Sequence, residues 1–115
     1  MFLLNIFRVF RCADWFHVQT YDYRGSRDKI VEHHSSLMPA TSADGDEKYL
    51  NEDSAIKFLI NSGLESSKLV AGLPAFGKKF RLISDLHDLG SPATCVGSVP
   101  YTEVKKTMSC SCFDF

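Results

Sequence analysis

The run Asp14-Trp-Phe-His-Val-Gln-Thr-Tyr-Asp-Tyr-Arg-Gly25 constrains this chain more than any other stretch. Trp15, Phe16, Val18, Tyr21 and Tyr23 give it the aromatic and β-branched bulk of a strand, and Arg24-Gly25 supplies the exit. Alternation puts Trp15, His17, Gln19 and Tyr21 on one face and Phe16, Val18, Thr20 and Asp22 on the other. Neither face is solvent-like, which predicts a strand covered on both sides, as in a parallel sheet. Such strands carry chemistry at their C-terminal ends, where Tyr21 and Asp22 fall.

The rest of the chain supplies a partner for that strand. A long polar connection from Tyr23 to about Tyr49 contains turn chemistry at Pro39–Asp46. A helix is expected next: Asn51 can cap it, Glu52 and Asp53 suit its positive end, and Ala55, Ile56, Leu59 and Ile60 form an apolar stripe for burial. Asn61-Ser62-Gly63 ends it, with Gly63 available for a left-handed cap. A second buried strand is predicted over Leu69–Phe76, broken at Gly77, followed by a short exposed strand over Lys78–Leu82. Strand, helix and strand in this order form a βαβ unit with parallel strands and a right-handed crossover. From Ser84 onward Gly90, Pro92, Gly97 and Pro100 predict irregular structure, with another element possible over Tyr101–Thr107.

Composition excludes several functions. With 115 residues and a formal net charge of -1, the chain has no basic stripe for nucleic acid and no charge bias towards a membrane surface. A membrane span of ~20 continuous apolar residues is absent. Cys12, Cys95, Cys110 and Cys112 lack zinc spacing, and His17, His33, His34 and His87 show no ligand pattern, so neither a metal nor another cofactor is expected. Met1–Phe10 is apolar, but Asn5 and Arg8 interrupt it and no basic region precedes it, so it is not a convincing signal peptide.

Several motifs, in order and consistently spaced from about Cys12 to Glu103, resemble glycoside hydrolase family 18, the chitinases and chitinase-like lectins. The opening run resembles that family's sixth barrel strand, which ends M-T-Y-D-x-x-G. His33-His-Ser-Ser-Leu37 resembles its H-N-S-P-L loop, and Tyr49-Leu-Asn51 resembles the helix opening Y-L-N-x-D. Leu69–Phe80 resembles the seventh strand, K-L-V-x-G-I-P-x-Y-G-R-x-F, and Pro100-Tyr-Thr102 resembles the P-Y-T that leads into a small insertion.

The resemblance implies an α/β fold: a fragment of a (β/α)8 TIM barrel comprising the sixth strand, sixth helix and seventh strand, plus the start of an α+β insertion. Residues 1–11 would be a lead-in of uncertain origin, 12–83 the partial barrel, and 84–115 the start of the insertion and a divergent tail. Family members hydrolyse β-1,4-linked N-acetylglucosamine polymers by a substrate-assisted route, with a glutamic acid of a D-x-x-D-x-D-x-E run as proton donor. This sequence contains no such run. Asp44-Gly-Asp-Glu47 has the wrong spacing and reads as solvated loop charge. The chain alone is therefore expected to be inactive, with no catalytic residue of its own.

By resemblance, Tyr21 would support the N-acetyl group and Asp22 would accept from a sugar hydroxyl. Gln19, Phe76 and Lys78 would line the same substrate site, standing where the family usually has Met, Tyr and Arg. Read without the family, Tyr21 is a core tyrosine, Asp22 a turn former, Phe76 packing and Lys78 solvated charge or a rim contact. His33 and His34 read as loop residues. The implied partners are chitin or N-acetylglucosamine oligosaccharides and the remainder of a barrel in a longer product, in an extracellular setting. The alternatives are a non-catalytic chitin-binding, chitinase-like protein, and a partial product with no independent function.

Overall fold

The structure, a computed structural model, describes residues 6–40 and 43–108. They fall into two units. One gathers the chain up to Tyr21 with Ser35–Leu73; the other gathers Asp22–His34 with the chain from Pro74 onward.

The first unit is the βαβ arrangement expected from the sequence. It contains α1 (Ile6–Cys12), β1 (Phe16–Gln19), a 3₁₀ turn over Gly45–Tyr49, α2 (Glu52–Asn61) and β2 (Leu69–Gly72). β1 and β2 pair in parallel, with Phe16 opposite Leu69 and Gln19 opposite Gly72. Thr20, fully buried, extends the pairing by donating from Oγ1 to the Gly72 carbonyl at 2.7 Å. α1 docks on β1: the buried Phe10 meets the Phe16 ring edge-on at 5.3 Å. Lys68 Nζ reaches the Phe10 and Ala13 carbonyls at 3.4 and 3.3 Å, supplying donors at the negative end of α1.

α2 starts where its cap predicts. Asn51, fully buried, accepts from the Ser54 amide through Oδ1 at 2.9 Å and donates from Nδ2 to the Lys48 carbonyl at 2.7 Å. Gly63 takes φ 93° just beyond the helix, the left-handed conformation a glycine best accommodates. The apolar stripe is less covered than its spacing predicts. Ile56 and Leu59 are half-buried and Ile60 is 41% exposed, because the buried apolar side chains of this unit's described residues are only Phe10 and Leu64.

β1 also departs from expectation. It is not covered on both faces: Phe16, Val18 and Thr20 turn inward, while Trp15, His17 and Gln19 are exposed. The ladder ends at Gln19, before Tyr21. β2 stops at Gly72 rather than Phe76, since Pro74 has no amide hydrogen to offer a ladder.

The second unit is built on an antiparallel pair. β3 (Phe76–Leu82) and β4 (Ala93–Pro100) run together, and α3 (Tyr101–Met108) follows. Gly77 lies inside β3 instead of breaking it. A Cβ there would come within 2.9 Å of Val104 Cγ2 on α3, so its missing side chain is what permits α3 to lie close. β4 falls in the region predicted to be irregular. Pro92 and Pro100 mark its ends, and Gly97, at φ 147°, pairs with Lys79 at the register shift, beyond which Phe80 pairs with Cys95. The polar connection contributes an isolated antiparallel bridge, Ile30 with Pro92, and the Ala93 amide donates to the Lys29 carbonyl at 2.8 Å.

Cys12 and Cys95 are free thiols, while Cys110 and Cys112 lie outside the described residues. No helix among the described residues is long and apolar enough to cross a membrane. Asp44 behaves as solvated loop charge: it is 97% exposed, caps the 3₁₀ turn and pairs with Lys48 at 3.3 Å.

Candidate functional site

Three of the five residues expected to contact substrate converge in the second unit. Asp22 is the first residue of that unit, and Phe76 and Lys78 project from β3. Lys78 Nζ lies 2.6 Å from Asp22 Oδ1, 3.0 Å from Ser98 Oγ on β4, and 5.3 Å from the centre of the Phe76 ring. The ammonium therefore makes a charge-assisted hydrogen bond, a second hydrogen bond to a neutral acceptor and a cation–π contact at once. Its side chain is 14% exposed whereas that of Asp22 is 38% exposed. The cation is largely enclosed, and the carboxylate keeps an open side.

Asp22 owes this position to its backbone. At φ 63° it is the one non-glycine residue with positive φ among the described residues. Aspartate tolerates this region better than most residues, yet the conformation still costs on the order of 1 kcal/mol. The residue held in this conformation is the one whose carboxylate meets Lys78.

His34 joins the cluster, although the sequence assigns it only to a loop. Its ring stacks on Phe76 with centroids 5.0 Å apart and planes at 28°. Nε2 lies 3.3 Å from the Phe76 carbonyl oxygen, and Nδ1 lies 3.8 Å from Asp22 Oδ1. Burial pushes the imidazole pKa below its usual value. The hydrogen bond to the Phe76 carbonyl opposes that shift, Lys78 adds to it, Asp22 opposes it and His33 adds a little more. Ser98 escapes a sequence reading because its strand does. The signal for His34 is its place in the His33–Leu37 motif.

Gln19 and Tyr21 belong to the first unit. Gln19 is exposed on β1 and Tyr21 is half-buried. The Tyr21 ring lies over Gly72: a Cβ on Gly72 would stand 3.1 Å from Tyr21 Cε1 and 3.0 Å from the Val18 carbonyl oxygen. Gly72 thus acts as a seat for the tyrosine. A glycine inside a strand pattern is the sequence signal for such a close approach.

Comparison with known proteins places this architecture. The family model described as glycosyl hydrolases family 18 matches residues 4–111. The chain belongs to glycosyl hydrolase family 18. The match extends beyond the Cys12–Glu103 stretch at both ends. Among relatives, mouse chitotriosidase-1 is 30% identical over 104 residues, which cover 89% of this chain and 22% of that protein. Human chitinase-3-like protein 2 is 33% identical over 105 residues, covering 86% of this chain and 27% of that one. The chain thus spans about a quarter of the length of these two relatives. Among solved structures, human YKL-39 superposes with a TM-score of 0.83 at 26% identity, covering 89% of this chain and 31% of that one. That protein is described as a pseudo-chitinase with retained chitooligosaccharide binding properties. Family 18 members thus include both chitinases and a sugar-binding pseudo-chitinase.

Proposed function

We propose that this chain supplies sugar-contacting residues of a chitinase-type domain and does not carry out hydrolysis alone. Its ligand would be a β-1,4-linked N-acetylglucosamine oligosaccharide. The observation that carries the reading is Asp22: a half-open carboxylate on strained backbone, fixed by Lys78 above the Phe76 ring. Strained backbone clusters at ligand-contacting sites, where the surrounding structure holds it in place. A carboxylate oxygen accepts sugar hydroxyls, and an aromatic face offers the apolar side of a pyranose a surface.

In this reading β1, α2 and β2 correspond to the sixth strand, sixth helix and seventh strand of a (β/α)8 barrel, with the insertion beginning after β3. Residues 1–11 form a lead-in, 12–83 the barrel portion and 84–115 the insertion and tail. Tyr21 and Gln19 remain contact candidates on the family motif alone. Hydrolysis of chitin, with the sugar's own N-acetyl group assisting, would need a proton donor from outside this sequence, which has no D-x-x-D-x-D-x-E run. The remaining barrel segments would be its partner, and the setting would be extracellular, as the family motif implies.

Calorimetric titration of the chain with the tetramer of N-acetylglucosamine tests this. Binding that weakens at least tenfold in Asp22→Ala is the expected outcome. Absence of binding, or binding indifferent to Asp22→Ala, removes the reading, and cleavage of a fluorogenic chitobioside by the purified chain removes the claim of inactivity.

A further inference from the structure

The histidine that joins the cluster does something the family loop does not call for. Where the family motif reads H-N-S-P-L, this chain has His33-His34-Ser-Ser-Leu37, so a titratable ring stands at the place of an asparagine. The Phe76 carbonyl can only accept, so the neutral ring carries its proton on Nε2 and presents a lone pair at Nδ1. That lone pair faces Asp22 Oδ1 at 3.8 Å, beyond hydrogen-bonding distance, as two acceptors should be. Nδ1 is buried and has no hydrogen-bond partner among the described residues. Asp22 Oδ1 is also the oxygen that Lys78 holds at 2.6 Å, and Lys78 has a second partner in Ser98 Oγ.

We propose that His34 is a proton-operated positioning residue for Asp22: a proton taken from solvent at Nδ1 turns the ring into a donor that competes with Lys78 for Oδ1. The ring then draws the carboxylate towards itself, Lys78 leans on Ser98, and the oxygen that Asp22 would offer a sugar hydroxyl is moved out of place. The charged groups that face His34 are Asp22 and Lys78, with His33 adjacent in the chain. Asp22 favours protonation, Lys78 and His33 oppose it, and burial opposes it most. The exchange therefore takes place on the acid side of an ordinary histidine. Sugar affinity falls as pH falls, by about three- to tenfold for one competing charge-assisted hydrogen bond.

The sugar consequence rests on the proposed reading of Asp22, but the proton coupling does not. NMR of the full chain between about pH 5 and pH 8 should show the His34 ring titrating below 6.5. The Asp22 carboxyl carbon should shift with the same midpoint, and in His34→Asn that step should vanish. An Asp22 signal that ignores the His34 transition overturns the proposal whether or not sugar binds. Titration with the N-acetylglucosamine tetramer at the two ends of the range then tests the consequence. The wild-type chain should bind more weakly in acid, and His34→Asn should show equal affinity at both ends. A wild-type chain that binds equally at both ends, with the coupling seen by NMR, overturns the effect on sugar. A chain that binds at neither end overturns the reading of Asp22 and leaves the NMR result to decide the role of His34.

Discussion

Replacing Gly72 by alanine tests whether the seat of Tyr21 is as tight as the geometry says. The new methyl would stand 3.0 Å from the Val18 carbonyl oxygen and 3.1 Å from Tyr21 Cε1, where ordinary van der Waals contact begins near 3.4 Å. The Val18 carbonyl cannot retreat freely, because β1 is paired with β2 through the Val18–Ala71 and Gln19–Gly72 registers. The tyrosine ring must therefore give way. Overpacking of this kind costs ~1–3 kcal/mol. Gly72 has no positive φ, so alanine recovers ~0.4–1 kcal/mol by restricting the unfolded chain. The net expectation is a loss of about 1–2 kcal/mol. With a urea dependence of about 1 kcal/mol per molar for a small domain, the unfolding midpoint should drop by about 1–2 M. Gly25→Ala is the control: nothing lies within 4 Å of the place its methyl would take, and its φ is not positive, so its midpoint should stay or rise slightly. A Gly72→Ala chain as stable as the wild type would refute the close-approach argument.

Asn51→Ala removes both the cap on Ser54 and the hydrogen bond to Lys48 from a fully buried position, and should lower stability by about 1–3 kcal/mol in urea unfolding. Gly77→Ala should push α3 off β3 and cost a further ~1–3 kcal/mol, relieved when Val104→Ala is added, as a double-mutant cycle would show. Because burial holds the folded His34 pKa below its unfolded value, the unfolded chain binds more protons between the two. The stability this neutral ring contributes is complete above about 6.5 and is lost as pH falls through the folded pKa. Urea midpoints measured across that range should fall less steeply towards acid in His34→Asn than in the wild type.

The parallel βαβ unit is legible in the sequence because its signals are local and agree: β-branched runs, a capping asparagine and a C-terminal glycine. What misleads is proline and glycine read only as interruption. Pro74 ends β2 early because it lacks a donor, yet Pro92 and Pro100 bound a strand whose interior, Ala93–Val99, carries no clear strand pattern. Gly97 marks a bulge within that strand and Gly77 a close approach, both of which are compatible with pairing. The exposed faces of β1 and α2 cannot be read from periodicity, which reports which residues would share a buried face and not whether anything covers them. For the candidate site, Asp22, Phe76 and Lys78 are singled out by motif. The ion pair between Asp22 and Lys78, 56 positions apart, arises only when β3 meets the loop that begins at Asp22. His34 is marked only by its place in the His33–Leu37 motif; no sequence-adjacent carboxylate announces its neighbour Asp22, which the fold brings to it.

Chemical-shift mapping on the isotopically labelled chain, titrated with the tetramer of N-acetylglucosamine, addresses the central claim most directly. A sugar site at this cluster gives saturable shifts centred on Asp22, His34, Phe76, Lys78 and Ser98. Saturable shifts confined to other residues, or none at all with a folded chain, would contradict it.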